Sequence, residues 1–210
     1  MTSVTPPAPS RRSTRNSKRS SKRWWAAAIV LLLTSVAFFT VGLGSREGQL
    51  AGPVVARSVP VGLRIPAIGV STSLSTLGLN PDKTVEVPTN YQEPGWYRLG
   101  PTPGQVGSAV ILGHVDDKLG PAVFYRLRTL KAGDKVDVSL ANGVIAHFVV
   151  KTVETYPKDK FPAQLVYTSH GYSALQLVTC GGTFNTATGH YESNIVAYTT
   201  LTSTTPPTAT

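Results

Sequence analysis

Only one cysteine, Cys180, occurs in the 210 residues, so an intramolecular disulfide is excluded, and with it the common reason for exporting a cysteine. Acidic residues are missing from the first 46 positions, and no lysine or arginine occurs after Lys160. Beyond residue 44 no segment keeps the 3.6-residue apolar spacing of a long helix, which excludes an all-α domain. No internal repeat is visible. The formal charge of +9 would suggest a nucleic-acid partner if it were spread over a surface. Seven of the twenty basic residues, however, fall between Arg11 and Arg23, and from Trp24 onward thirteen basic residues stand against eleven acidic ones. A domain-wide basic face is therefore excluded.

The basic tail leads directly into "WWAAAIVLLLTSVAFFTVGLG", Trp24 to Gly44, 21 positions without a charge. As a helix it would cover about 30 Å, the thickness of a bilayer's hydrocarbon core. The positive-inside rule places residues 1–23 in the cytoplasm, Trp24 and Trp25 suit the interface, and the rest of the chain is expected outside the cell membrane. A cleaved signal peptide is the competing reading, but the apolar run exceeds the usual core of a signal and no clear A-x-A site lies beyond it. Residues 45–58 read as a stalk, and the closing 202–210, "TSTTPPTAT", as a disordered tail.

Between them, from residue 59 to 201, short apolar or alternating runs recur between turn signals, the pattern of a mainly antiparallel β-barrel or sandwich with short helices. "VDVSLANGVIAHFVV" predicts a hairpin turning at Asn142-Gly143, the dipeptide preferred by a type I′ turn. Short helices are expected near 120–130 and 161–166.

"ALQLVTCGG" predicts a strand that delivers Cys180 to a glycine turn. Strand ends opening onto loops are where rigid scaffolds place reactive groups. A lone cysteine is otherwise a small buried hydrophobe. To become a thiolate at neutral pH the thiol needs a basic partner, and histidine is the natural one. His147 sits inside an alternating strand, and His170 and His190 sit in polar loops. His114 differs, because "SAVILGHVDD" brings it to the same kind of strand-to-loop junction as Cys180.

"RIPAIGV", "GHVDD", "GPAVFYRL", "LVTCGG" and "GHYESNIVAY", in this order, resemble the sortases, most closely the class F type of actinobacteria. The resemblance covers nearly all of 59–201. It implies a sortase-like closed β-barrel anchored by one N-terminal helix and acting as a cysteine transpeptidase. Cys180 would attack the threonine carbonyl of an LPxTG-like sorting signal to give a thioacyl-enzyme. His114 would protonate the departing amine and deprotonate the incoming one. An amine of peptidoglycan or of its lipid-linked precursor would accept the acyl group, and neither cofactor nor metal is required. Thr179 is implied as a substrate-site or supporting residue.

One element of the family pattern is missing. Sortases place an arginine about a dozen residues beyond the cysteine to stabilise the developing oxyanion, and here that stretch reads "YESN", Tyr191 to Asn194. Arg126 in "GPAVFYRL" is the first expected substitute, ahead of Arg128, Arg98 and Arg64, with an ion pair to Asp116 or Asp117 as its alternative role. Asn194 could offer a neutral hydrogen bond to the substrate from the usual strand. The tandem acids Asp116-Asp117 read as turn residues rather than metal ligands, since no calcium-loop spacing surrounds them. Two other functions share these residues: a thiol peptidase using water as acceptor, and a catalytically silent wall-facing binding module that has lost the arginine.

Overall fold

In a computed structural model, which describes residues 55–208, the alternating runs become eleven strands. β1 (Pro60–Ile65), β2 (Val70–Ser73), β3 (Ser75–Leu77), β4 (Gly95–Tyr97) and β5 (Gly107–Leu112) come first. A small hairpin of β6 (Asp116–Asp117) and β7 (Gly120–Pro121) is next, then β8 (Lys135–Leu140), β9 (Ile145–Pro157), β10 (Ser173–Asn185) and β11 (His190–Thr205). The expected short helices are a 3-10 turn at Leu127–Thr129 and a helix α1 at Ala163–Tyr167. The expected tail 1–23, span 24–44 and most of the stalk lie outside the described residues. Among the described residues no helix is long and apolar enough to cross a membrane.

Nine strands form one sheet in the order β2-β1-β8-β9-β11-β10-β5-β4-β3. Its edge strands β2 and β3 are separated in sequence by Leu74 alone, so the chain itself joins the two edges and the sheet curls into a barrel. Closure of this kind hides the unpaired backbone that a flat sheet would expose. Side chains alternate across each strand, and two apolar layers result. Ala109, Ile111, Leu175, Leu177, Ile195 and Ala197 point into the barrel with Phe124, Leu127 and Phe148. Val110, Val178 and Val196, on the outer face, pack beneath Val166 of α1, flanked by Tyr97, Leu112, Tyr156, Phe161, Tyr167 and Tyr198.

The second layer is fastened by polar groups. Ser108 Oγ donates to the Val166 carbonyl at 2.6 Å and accepts from Gln176 Nε2 at 3.1 Å, and both side chains are buried. The connection from β9 to β10 is thereby held against the sheet as a wall. Burial pushes the Tyr167 hydroxyl up to about 12, so it stays a neutral, donor-competent part of this wall.

Two local expectations change. The β8–β9 turn is not type I′: Asn142 keeps a negative φ and Gly143 alone is left-handed (φ 83), with Gly143 N–H donating to the Leu140 carbonyl at 2.9 Å. The turn therefore begins one residue earlier, and Ala141, which would be strained at positive φ, escapes that conformation. β11 also runs on through Thr205, pairing Ser203, Thr204 and Thr205 with His147, Ala146 and Ile145. Threonine's branched β-carbon suits a strand, and β9 offers an unfilled ladder there, so the pairing reaches into the segment expected as tail until Pro206 and Pro207 end it.

Candidate active site

β5 and β10 lie side by side and parallel, with Ser108 opposite Ala174 and Leu112 opposite Val178. The ladder continues one step further, since Gly113 N–H donates to the Val178 carbonyl at 3.0 Å. His114 and Cys180 each stand two residues beyond the last pair, so the parallel register delivers them to the same end of the barrel. Alternation puts Cys180 on the outer face with Val178, one pleat beyond the layer that packs under Val166 of α1, and the thiol is half-buried.

The glycines around these residues are set by packing. A β-carbon on Gly113 would lie 2.6 Å from Phe124 Cδ2, and one on Gly181 would lie 2.4 Å from Ile195 Cδ1. Gly182 has φ +79, a conformation that side chains disfavour. Gly181→Ala is accordingly expected to destabilise the fold by about 1–3 kcal/mol through overpacking. Thermal unfolding measures this, and trimming the opposing residue with Ile195→Val should return part of the loss.

His114 is held on two sides. Its Nε2 lies 2.7 Å from the carbonyl oxygen of buried Pro88, and its ring packs on that of Tyr91 with centroids 4.2 Å apart. The 88–93 loop is tied down in turn: Val123 N–H donates to the Tyr91 carbonyl at 3.0 Å and Thr72 Oγ1 to the Gln92 carbonyl at 3.2 Å. A surface cavity of about 630 Å³ opens beside Tyr91, bounded by Asn90, Gln92, Asp117 and Leu119.

Asn194 is the direct cross-strand partner of Cys180, and both occupy the outer face. Two positions to the amino side of Ser193, the Tyr191 hydroxyl donates to Asp116 and its ring packs edge-on against Phe184. That hydrogen bond, more than burial or the nearby Tyr125 and Cys180, lifts the Tyr191 hydroxyl to about 12. The contact bridges the strand opposite Cys180 to the segment carrying His114.

Thr179 faces the opposite way from Cys180. It is 3% exposed and its hydroxyl finds no protein partner among the described residues. Period-two alternation turns a cysteine's strand neighbour into the barrel, so Thr179 lies behind the outer face that carries Cys180. Arg126 is exposed and caps the 3-10 turn at Leu127–Thr129, a turn that packs against β11. The alternative ion pair is not formed: Asp116 is engaged by Tyr191, Asp117 Oδ1 accepts from the Leu119 and Gly120 amides, and the salt bridges among the described residues do not include Arg126. Arg64 pairs with Asp137 across β1 and β8, and Arg57 donates to the Arg98 carbonyl, both on other parts of the barrel.

The other histidines are elsewhere. His147 is fixed between Asp137 and Thr205, each at 2.8 Å, and its partner on β11 is Ser203, nine residues or about 30 Å along the strand from Asn194. His170 bonds the Leu165 carbonyl, and His190 is exposed at the start of β11.

The family model of the sortase domain matches residues 63–202. The chain belongs to the sortase family. Sortases are transpeptidases, and the fold agrees with solved members at low sequence identity. Sortase A of Listeria monocytogenes superposes with a TM-score of 0.53 at 17% identity, over 71% of this chain and 90% of that one. A lid mutant of sortase A from Corynebacterium diphtheriae gives 0.52 at 16% identity, covering 70% and 72%. A sortase D5 transpeptidase of Clostridium perfringens gives 0.50 at 15%, covering 70% and 82%. Among curated proteins no sequence matches.

In this sortase, sequence reasoning overlooked Pro88, Tyr91 and Tyr191. No spacing rule flags the first two, because they reach His114 from a loop more than twenty residues upstream. Tyr191 carried a weak signal, an aromatic residue placed where the family's arginine strand begins.

Proposed function

We propose that the protein is a class F-like sortase, anchored by residues 24–44 with its catalytic domain outside the cell membrane, that joins exported proteins to a cell-wall amine. The observation that carries this reading is the parallel register of β5 and β10, which brings His114 and Cys180 to one end of the barrel. Cys180 Sγ attacks the carbonyl carbon of the threonine in an LPxTG-like signal, and the thiol proton passes to His114. The tetrahedral intermediate expels the downstream amine, which takes that proton, and a thioester remains. An amine of peptidoglycan or its lipid-linked precursor then attacks the thioester, gives its proton to His114, and leaves as an amide while the thiol is restored.

The oxyanion needs a donor. Arg126, exposed and in no salt bridge among the described residues, and Asn194, opposite the thiol, are the two candidates for this role. Losing one oxyanion donor costs about 10²–10³ in rate. Arg126→Ala is expected to slow acylation by that factor, and Asn194→Ala by less, because a neutral amide stabilises an anion less than a guanidinium does. Stopped-flow acylation of both variants decides the assignment; an unchanged rate in Arg126→Ala removes Arg126 from the site.

The function is tested by incubating the full-length protein with LPxTG-like peptides and a small amine. An amide product that depends on the amine supports transpeptidation. Hydrolysed peptide alone, whatever the amine concentration, would favour the thiol peptidase, and no product with an inert thiol would favour the binding module.

A further inference from the structure

We infer that Pro88 and Tyr91 are positioning residues that hold His114 as its Nε2–H tautomer, so that Nδ1 is the nitrogen that carries protons in the reaction. This rests on the acyl-transfer reading of the site. A carbonyl oxygen can only accept, so the 2.7 Å contact between His114 Nε2 and Pro88 O requires a proton on Nε2. That proton stays in place whether the ring is neutral or charged, because the carbonyl accepts from both forms. Nδ1 has no hydrogen-bond partner among the described residues. It is the nitrogen left to take the Cys180 thiol proton, deliver it to the departing amine and recover one from the incoming amine.

The other contact fixes the ring plane. Tyr91 lies over the imidazole with an interplanar angle of 31°, and a ring held at 4.2 Å cannot rotate about its Cβ–Cγ bond without leaving the tyrosine. A flip of the imidazole would put Cε1 in the place of Nε2 and Cδ2 in the place of Nδ1, and so break the Pro88 contact. The loop has the stiffness this task needs: Pro88 is buried, Asn90 Oδ1 accepts from Gln92 N–H at 2.9 Å, and Gln92 Nε2 donates to the Pro121 carbonyl at 3.1 Å. Val123 N–H and Phe124 N–H, adjacent on one segment, donate to the carbonyls of Tyr91 and His114 themselves. One short segment therefore sets both partners of the stack, and Gly113 must lack a side chain for Phe124 to fit there.

The test has a readout that does not depend on activity. In full-length protein labelled with ¹⁵N-histidine, the His114 signals are assigned by their disappearance in His114→Gln and recorded at a pH where the ring is neutral. The expected pattern is protonated Nε2 and bare Nδ1; a predominant Nδ1–H form overturns the inference even if the protein proves to be an active sortase. Kinetics test Tyr91 separately. Tyr91→Phe keeps the stack and should hold the acylation kcat within about twofold, whereas Tyr91→Ala should lower kcat roughly tenfold, a small part of a general base's usual contribution, with KM for the peptide little changed. A kcat for Tyr91→Ala equal to that of the parent, or a change confined to KM, would remove Tyr91 from this role.

Discussion

Cys180→Ala is expected to lower acyl transfer by about 10⁶-fold while leaving the barrel folded. Losses of this order accompany removal of the nucleophile from an enzyme whose reacting groups act as a unit, and what remains is the contribution of binding and oxyanion stabilisation alone. The fold should be insensitive because Cys180 stands half-buried on the outer face, and its loss opens no hole in the interior layer of Leu175, Leu177 and Ile195. Circular dichroism and thermal unfolding report the fold, and product formation reports the chemistry. Parent and variant that turn over peptide equally would show that the thiol is a filler side chain.

His114→Ala is expected to slow both half-reactions by about 10²–10⁴, the usual contribution of a positioned general acid–base. Acylation suffers because nothing protonates the departing amine, and deacylation suffers because nothing takes the proton of the incoming one. His147→Ala is the control. It removes a contact to Asp137 and Thr205 and should cost stability with no change in rate, since it lies about 30 Å along β11 from the residue opposite the thiol. Equal rate losses in the two variants would mean that His114 acts through the fold rather than on the proton.

The junction at His114 was legible because β5 is an apolar run that stops before Gly113, a pattern that singled out His114 over three other histidines. The strand end expected at Cys180 is not there: β10 runs on through Gly181 and Gly182 to Asn185, with an irregularity in its pairing between Gly181 and Phe184 instead of a turn. That the two strands are neighbours, and parallel, was not legible: pairing across more than sixty residues leaves no local signature. Closure through Leu74 was hidden for the same reason. The inward direction of Thr179 is a consequence of alternation once Cys180 is placed on the outer face, so that signal lay in the sequence beside the family motif. Asn142-Gly143 shows the limit of a dipeptide rule, because the hairpin register, set by β8 and β9, moved the turn back to Leu140 and left only Gly143 with positive φ.

Pro88, Tyr91 and the Tyr191–Asp116 contact share a property that explains why they escaped notice. Each acts on a reactive residue or its segment by touching it, from a loop or strand whose neighbourhood only the folded chain defines. The missing arginine was visible as an absence: the position opposite Cys180 is filled by Asn194, and Arg126 begins a 3-10 turn that packs against β11 and forms no salt bridge among the described residues.

Intact mass spectrometry of the full-length protein after mixing with LPxTG-like peptides, in the absence of any amine, tests the thioacyl chemistry most directly. The expected result is a mass increase equal to the peptide portion up to its threonine, located on Cys180, reversed by hydroxylamine and missing from Cys180→Ala. A folded protein that forms no adduct with any such peptide, and whose thiol also resists iodoacetamide, would contradict it.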